Sequence, residues 1–134
     1  MLDDFVGLPY REGGRGPDAF DCYGLLVEVF RTVHGVELPD WYQDAPGNAA
    51  ASRAIAAALD GEVSVGRMVR VDWPHELPGE YDVAIVGSDN RPHHVGVSVA
   101  GGVLHASKAF GSAWHSLSRF VMFYPKTEFY RWHR

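Results

Sequence analysis

The chain holds a single cysteine, Cys22, and seven histidines. These are the side chains best suited to covalent chemistry at neutral pH. A lone thiol excludes an intramolecular disulfide and any zinc site built from several cysteines. It leaves a small buried hydrophobe or a working nucleophile, and the buried role is the commoner one for a lone cysteine. Position shifts that balance. Cys22 opens the stretch DCYGLLVEVFRTVHG, where Leu25, Leu26, Val29, Phe30 and Val33 form the stripe of an amphipathic helix. Backbone N–H groups in the first turn of a helix are unpaired and the macrodipole is positive there, so the position favours a thiolate. Asp21 fits as N-cap and Gly35 as stop, with Pro39 beyond it.

A thiol nucleophile needs a base, and the base needs a third group to fix its tautomer. The segment HHVGVSVAGGVLHAS offers both. It reads as two strands joined by the two-residue turn Ala100-Gly101, which sets Val99 opposite Gly102 and Gly96 opposite His105. His94 and His105 then share a face as diagonal neighbours, roughly 7–8 Å apart at Cα. Val95, Val97, Val99, Leu104 and Ala106 fall on the other face, a core face, so the apolar pattern supports the same register. A three-residue loop without a bulge would separate the histidines. Gly96 leaves room beside the His105 ring. His94 is therefore the candidate base and His105 its orienter. A metal site from His93, His94, His105 and His115 is the weaker reading, because no acidic ligand stands at a clear spacing from them.

The elements that must position these groups fit one domain, residues 1–134, with 46% apolar residues to fill a core. The N-terminal stretch, containing GLPYREGGRGPDAF, reads as a loop rich in glycine and proline. The Cys22 helix follows, then a second helix in NAAASRAIAAALDG, with Asn48 near its cap and Gly61 beyond its end. Short strands come next: RMVRVDW, DVAIVG, HVGVSV, VLHAS, FVMFY and EFYRW. Helices followed by strands indicate an α+β domain, N-terminal helices packed on a mostly antiparallel sheet. A net charge of -5 argues against nucleic-acid binding. No run reaches the roughly 18–20 apolar residues of a membrane span. The N-terminus MLDDFVG is acidic, with no apolar region after it, so no signal peptide is expected.

Taken together, these blocks resemble the NlpC family of papain-like cell-wall peptidases along nearly the whole domain. GLPYREGG and FDCYGLL are similar to that family's G-x-P-Y-x-x-G-G and F-D-C-S-G-L blocks. PGEYDVAIV resembles its P-G-D-L-V-F-F strand, with Asp82 at the aspartate, and HVGV and VLHAS resemble the H-V-G-I-Y and F-I-H-A blocks. The resemblance implies a papain-like α+β fold with Cys22 as nucleophile, His94 as base and His105 as orienting group. It also implies Tyr10 as the tyrosine whose hydroxyl helps stabilise the oxyanion, beside the backbone N–H of Cys22.

Tyr23 stands where the family commonly has serine, and it is expected to reshape the cleft. That aromatic, GGRGPDAFDCYG and HGVELPDW resemble the phage-tail branch of the family. The implied activity is cofactor-free hydrolysis of an amide in a peptidoglycan stem peptide, beside D-glutamate and diaminopimelate. The implied place is the tail of a phage or phage-like particle, made in the host cytoplasm, with tail-tip or hub proteins as partners. Tyr23, Arg11, Arg15, Arg91 and Lys108 are candidate substrate contacts, the cations for its carboxylates, although solvated surface charge is the commoner role. Two rivals stand beside this reading. One is a structural tail-tip component, motivated by the aromatic stretch FVMFYPKTEFYRWHR, which a last core strand would also explain. The other is a secreted antibacterial amidase effector of similar fold.

Overall fold

The computed structural model describes residues 2–38, 57, 60–88 and 91–133. Helix α1 spans Cys22–His34, as the caps foretell: Asp21 Oδ1 accepts from the Gly24 N–H at 2.6 Å, and Gly35 closes the helix at φ 66°. The expected helix over 48–61 lies mostly outside the described residues. Its far end is helical at 60–64, so Gly61 falls inside that helix and not beyond it.

Six strands form one sheet: β1 Met68–Arg70, β2 Val83–Ser88, β3 Arg91–Val99, β4 Gly102–Ser107, β5 Gly111–Ser116 and β6 Thr127–Trp132. Their order is β1-β6-β2-β3-β4-β5 and every pairing is antiparallel. The expected α+β class holds, with two corrections. FVMFY is not a strand but most of helix α2, Leu117–Phe123. Ser116 caps that helix through its hydroxyl, and Leu117, Phe120, Val121 and Tyr124 recur at helical spacing and pack together on the sheet. Strand β5, GSAWHS, was not foreseen, because glycine, serine and alanine favour strands poorly.

Helix α1 packs its buried Leu25, Leu26, Val29 and Phe30 among Val95, Val97, Val99, Leu104 and Ala106. A second cluster gathers Phe120 with Val71, Ala84, Val86, Val103 and Phe129. The histidine face of the sheet is thus covered by α2, and His105 is fully buried.

Strand β6 lies inside the sheet between β1 and β2. Arg131 forks onto the carboxylate of Asp82, with Nη2–Oδ2 at 2.9 Å and Nε–Oδ1 at 3.1 Å, while the Gly79 N–H donates to Asp82 Oδ2 at 2.7 Å. Asp82, only 2% exposed, is a structural anchor between β2 and β6. The aromatic stretch at 120–132 is accounted for by α2 and β6, and its Phe120 and Phe129 are wholly buried.

The N-terminal segment clips onto the far edge. Gly7 N–H donates to Ser112 O, Ser112 N–H to Leu8 O, and Leu8 N–H to Ser112 Oγ, each at 2.8 Å. The same segment then bonds back to the residue ahead of α1, through Arg11 N–H to Phe20 O at 3.1 Å. Tyr10 is held between these two attachments.

Candidate active site

The hairpin has the register expected of it: Gly96 opposes His105 and Val99 opposes Gly102. Ala100 at φ 52° and Gly101 at φ 78° make the tight two-residue turn that the strand twist favours. A Cβ on Gly96 would lie 2.6 Å from Val103 Cγ1 and 3.3 Å from His105 Cβ, so glycine keeps the ring's place open. His94 Nε2 and His105 Nδ1 stand 3.0 Å apart. That bond occupies Nε2 of His94 and leaves Nδ1 for a thiol.

The thiol is brought in where the β3–β4 ladder stops, at Gly96–His105. The N–H groups of Val99, Val97 and Val95 point toward β4 by the alternation of an antiparallel pair. Val95 lies beyond the last pair, packed in one cluster with Cys22, and its N–H favours the charged form of the thiol. Cys22 therefore meets the residue directly following His94. Tyr10 and Tyr124 lie near enough to the sulfur that its charge, when ionised, raises both phenols. Tyr124 stacks on the His94 ring, centroids 4.8 Å apart at 26°. Tyr124 was missed in the sequence because it follows the helix that reads as a strand.

Electrostatics corrects one expectation. Burial pushes the Cys22 thiol up to about 11, with the Asp21 charge adding, against the N–H groups of Val95, Tyr23 and Cys22 itself. Burial of the sulfur thus works against the thiolate that the helix start favours. Burial holds His94 down to about 3, helped by His105 and His93. A lone charge on either group is penalised, so the pair rests as thiol and imidazole. Burial, Cys22, Asp21 and Glu12 push Tyr10 up to about 12, which keeps its hydroxyl a donor at neutral pH.

The candidate substrate contacts divide. Arg15 Nη1 bonds to Asp21 Oδ1 at 2.8 Å and to Gly14 O at 2.9 Å, and its guanidinium lies over the Tyr23 ring. Tyr23 is only 4% exposed, within the core. Both therefore brace the start of α1 instead of presenting a cleft surface, since the Gly-rich loop folds back over the cap. Arg11 and Lys108 are exposed. Arg91 opens β3, and its side chain lies outside the described residues.

A third histidine joins the site: His105 Nε2 and His115 Nδ1 stand 2.8 Å apart. His115 opposes Val103, which makes it the diagonal neighbour of His105 across β4 and β5. The rule that paired His94 with His105 would have found it had β5 been recognised. Among the described residues no group of three His, Cys, Asp or Glu side chains is arranged to hold a metal ion. Among them, too, no helix is long and apolar enough to cross a membrane.

A profile of the NlpC/P60 family matches residues 7–122, most of the chain, with Tyr10, Cys22, His94, His105 and His115 inside the match and Tyr124 just beyond it. The chain belongs to the NlpC/P60 family. Solved NlpC/P60 structures agree in fold. The NlpC/p60 domain of the peptidoglycan hydrolase SagA superposes with a TM-score of 0.63 at 20% identity, over 98% of this chain and 92% of that one. NlpC1 from Trichomonas vaginalis gives 0.65 at 22% identity, over 98% of this chain and 41% of that one. An NlpC/P60 protein from Bacillus cereus gives 0.62 at 21%, over 98% and 39%. The chain thus spans nearly all of the SagA domain but about two-fifths of the latter two proteins. Among curated proteins none matches the chain. The fold of this NlpC/P60 chain is papain-like, a helix bearing cysteine against an antiparallel sheet bearing histidine.

Proposed function

We propose that this NlpC/P60 chain is a cysteine peptidase that hydrolyses an amide of a peptidoglycan stem peptide. The observation that carries the reading is the packing of Cys22 in one cluster with Val95, the residue after a His94 whose Nε2 is already tied to His105. His94 Nδ1 takes the thiol proton as sulfur attacks the carbonyl carbon. The Tyr10 hydroxyl and the Cys22 N–H are the donors for the resulting oxyanion. The C–N bond then breaks, the amine leaves with the proton from His94, and a thioester remains. Water, deprotonated by His94, attacks that thioester; the C–S bond breaks and the thiol is restored. No cofactor enters the cycle. Membership of the family and the fold shared with a peptidoglycan hydrolase domain support this substrate class.

Mass spectrometry of digested muropeptides tests it. Wild-type protein should release stem-peptide fragments and Cys22→Ala should release none; equal release by both would sink the mechanism.

The finer part of the proposal puts the enzyme on a phage or phage-like tail, in contact with tail-tip or hub proteins. It rests on the sequence resemblance of GGRGPDAFDCYG and HGVELPDW. Purified particles should contain the chain, and particles without it would remove this part alone.

A further inference from the structure

The line of rings does not end at the pair that the catalytic reading uses. His94, His105 and His115 are joined Nε2 to Nδ1 twice over, at 3.0 Å and 2.8 Å. His105 is wholly buried and both of its nitrogens are spent on the other two rings, so water cannot choose its tautomer. His115, at the other end, is only partly covered.

A neutral imidazole carries one N–H. Two arrangements satisfy both bonds. In the first, every Nε2 donates: His94 to His105, and His105 to His115. Nδ1 of His94 is then bare and can take a proton from Cys22. In the second, every Nδ1 donates, from His115 to His105 and from His105 to His94. Nδ1 of His94 then already carries its proton and cannot serve as base. The chain is competent in one direction only.

We propose that His115 is a positioning residue of the reaction, setting through His105 the tautomer that frees Nδ1 of His94 to accept the thiol proton. This rests on the assignment of Cys22 and His94 given above. A neutral His115 with its own proton on Nε2, turned away from His105, accepts at Nδ1 and holds the competent direction. A protonated His115 has N–H on both nitrogens and no acceptor, so Nδ1 must donate to His105, and the whole line reverses. A proton taken up at the half-covered end is thereby read at the buried base about two rings away.

Among the described residues, the titratable and charged groups facing His115 are His105 from β4 and Arg119 from α2, and the flanking rings are Phe110 from the β4–β5 turn and Phe123 from α2. Burial, and then the Arg119 charge, both disfavour the protonated ring, and a neutral ring is what the competent direction requires. This device differs from a single orienting residue. A third group with a solvated far side would leave the tautomer to water, whereas here a fourth side chain decides it.

Imidazole nitrogen NMR on labelled wild-type protein reads the line directly and needs no substrate. At neutral pH His94 and His105 should both show the proton on Nε2, and acidification that protonates His115 should move it to Nδ1. His115→Leu removes the acceptor and should lower kcat about tenfold to a hundredfold, as loss of an outer supporting partner does, with KM little changed. His115→Asn puts an oxygen where Nδ1 stood and should restore kcat to within a few fold. It has no ring to titrate, so the acid limb of its kcat profile should move to lower pH. His94 protonated on Nδ1 in the neutral wild-type protein would overturn the proposal. So would His115→Leu with unchanged kcat, pH profile and tautomers. Should Cys22→Ala prove fully active, the catalytic reading fails while the tautomer measurement still stands by itself.

Discussion

Gly24 and Gly61 both sit within helices, yet the same alanine substitution should act oppositely at the two. A Cβ on Gly24 would lie 2.0 Å from Gly14 O, 3.0 Å from Arg15 Nη1 and 3.1 Å from Asp21 Oδ1. Carbon needs well over 3 Å from such an oxygen, so Gly14 would have to retreat by more than about 1 Å. That carbonyl accepts from the Asp21 N–H at 3.2 Å and from Arg15 Nη1 at 2.9 Å, so both bonds are disturbed together. Overpacking costs about 1–3 kcal/mol and a lost buried hydrogen bond about 1 kcal/mol, while alanine's helix propensity returns about 1 kcal/mol. The net for Gly24→Ala is a loss of about 1–3 kcal/mol, or roughly 3–11 °C in Tm for a chain of this size. Gly61 is exposed, with no atom within 4 Å of the added carbon, so Gly61→Ala should be neutral or gain up to about 1 kcal/mol. Urea unfolding followed by tryptophan fluorescence measures both. A Gly24→Ala protein as stable as wild type, or a Gly61→Ala protein losing as much, would refute the argument from close approach.

Acid should destabilise the fold well above the pH at which His94 and His105 themselves titrate. Both have folded values below the ordinary histidine value of 6.5, about 3 and about 4, so the unfolded chain binds more protons throughout that window. Stability is full above about pH 6.5 and falls as pH drops toward 4 and 3; at pH 5 each ring contributes a loss of about 2 kcal/mol. Urea midpoints at pH 7.5 and 5.0 check this, and equal midpoints would count against a neutral buried pair. Tyr10→Phe should lower kcat by roughly ten- to a hundredfold with KM little changed, at the low end for an oxyanion donor because the residue is half-exposed. Steady-state kinetics on a stem-peptide substrate decides it, and an unchanged kcat would remove Tyr10 from the chemistry.

The hairpin was legible to the residue because two independent signals agreed. The Ala100-Gly101 turn sets Gly96 opposite His105, and the valine alternation demands the same two faces. Helix α1 was legible for a similar reason, since its stripe, Asp21 and Gly35 all mark the same span. Around α2 the signals conflicted. Phe120, Val121 and Phe123 have strand-like composition, and only the spacing from Leu117 to Tyr124 and the Ser116 cap speak for a helix. Strand β5 draws its stability from β4 and from the N-terminal segment bonded to Ser112, which no local pattern reveals. Those two elements carry His115 and lead into Tyr124, so the missed parts of the site are the ones on misread structure. The roles of Arg15 and Tyr23 depend on a glycine-rich loop folding back onto Asp21, a contact set by tertiary packing and not by spacing.

The place of β6 has a consequence for when the protein can work. During synthesis β2, β3, β4 and β5 emerge in the order in which they pair, so that meander can form as it leaves the ribosome. Its β2 edge, and the buried carboxylate of Asp82, must wait for residues 127–132 and for Arg131. On a ribosome adding about 5–20 residues per second, on the order of ten seconds separate the appearance of Cys22 from that of its completed support. Cys22 is made early and supported late, and a chain broken off before β6 would carry Cys22, His94 and His105 on a partial sheet with the β2 edge open.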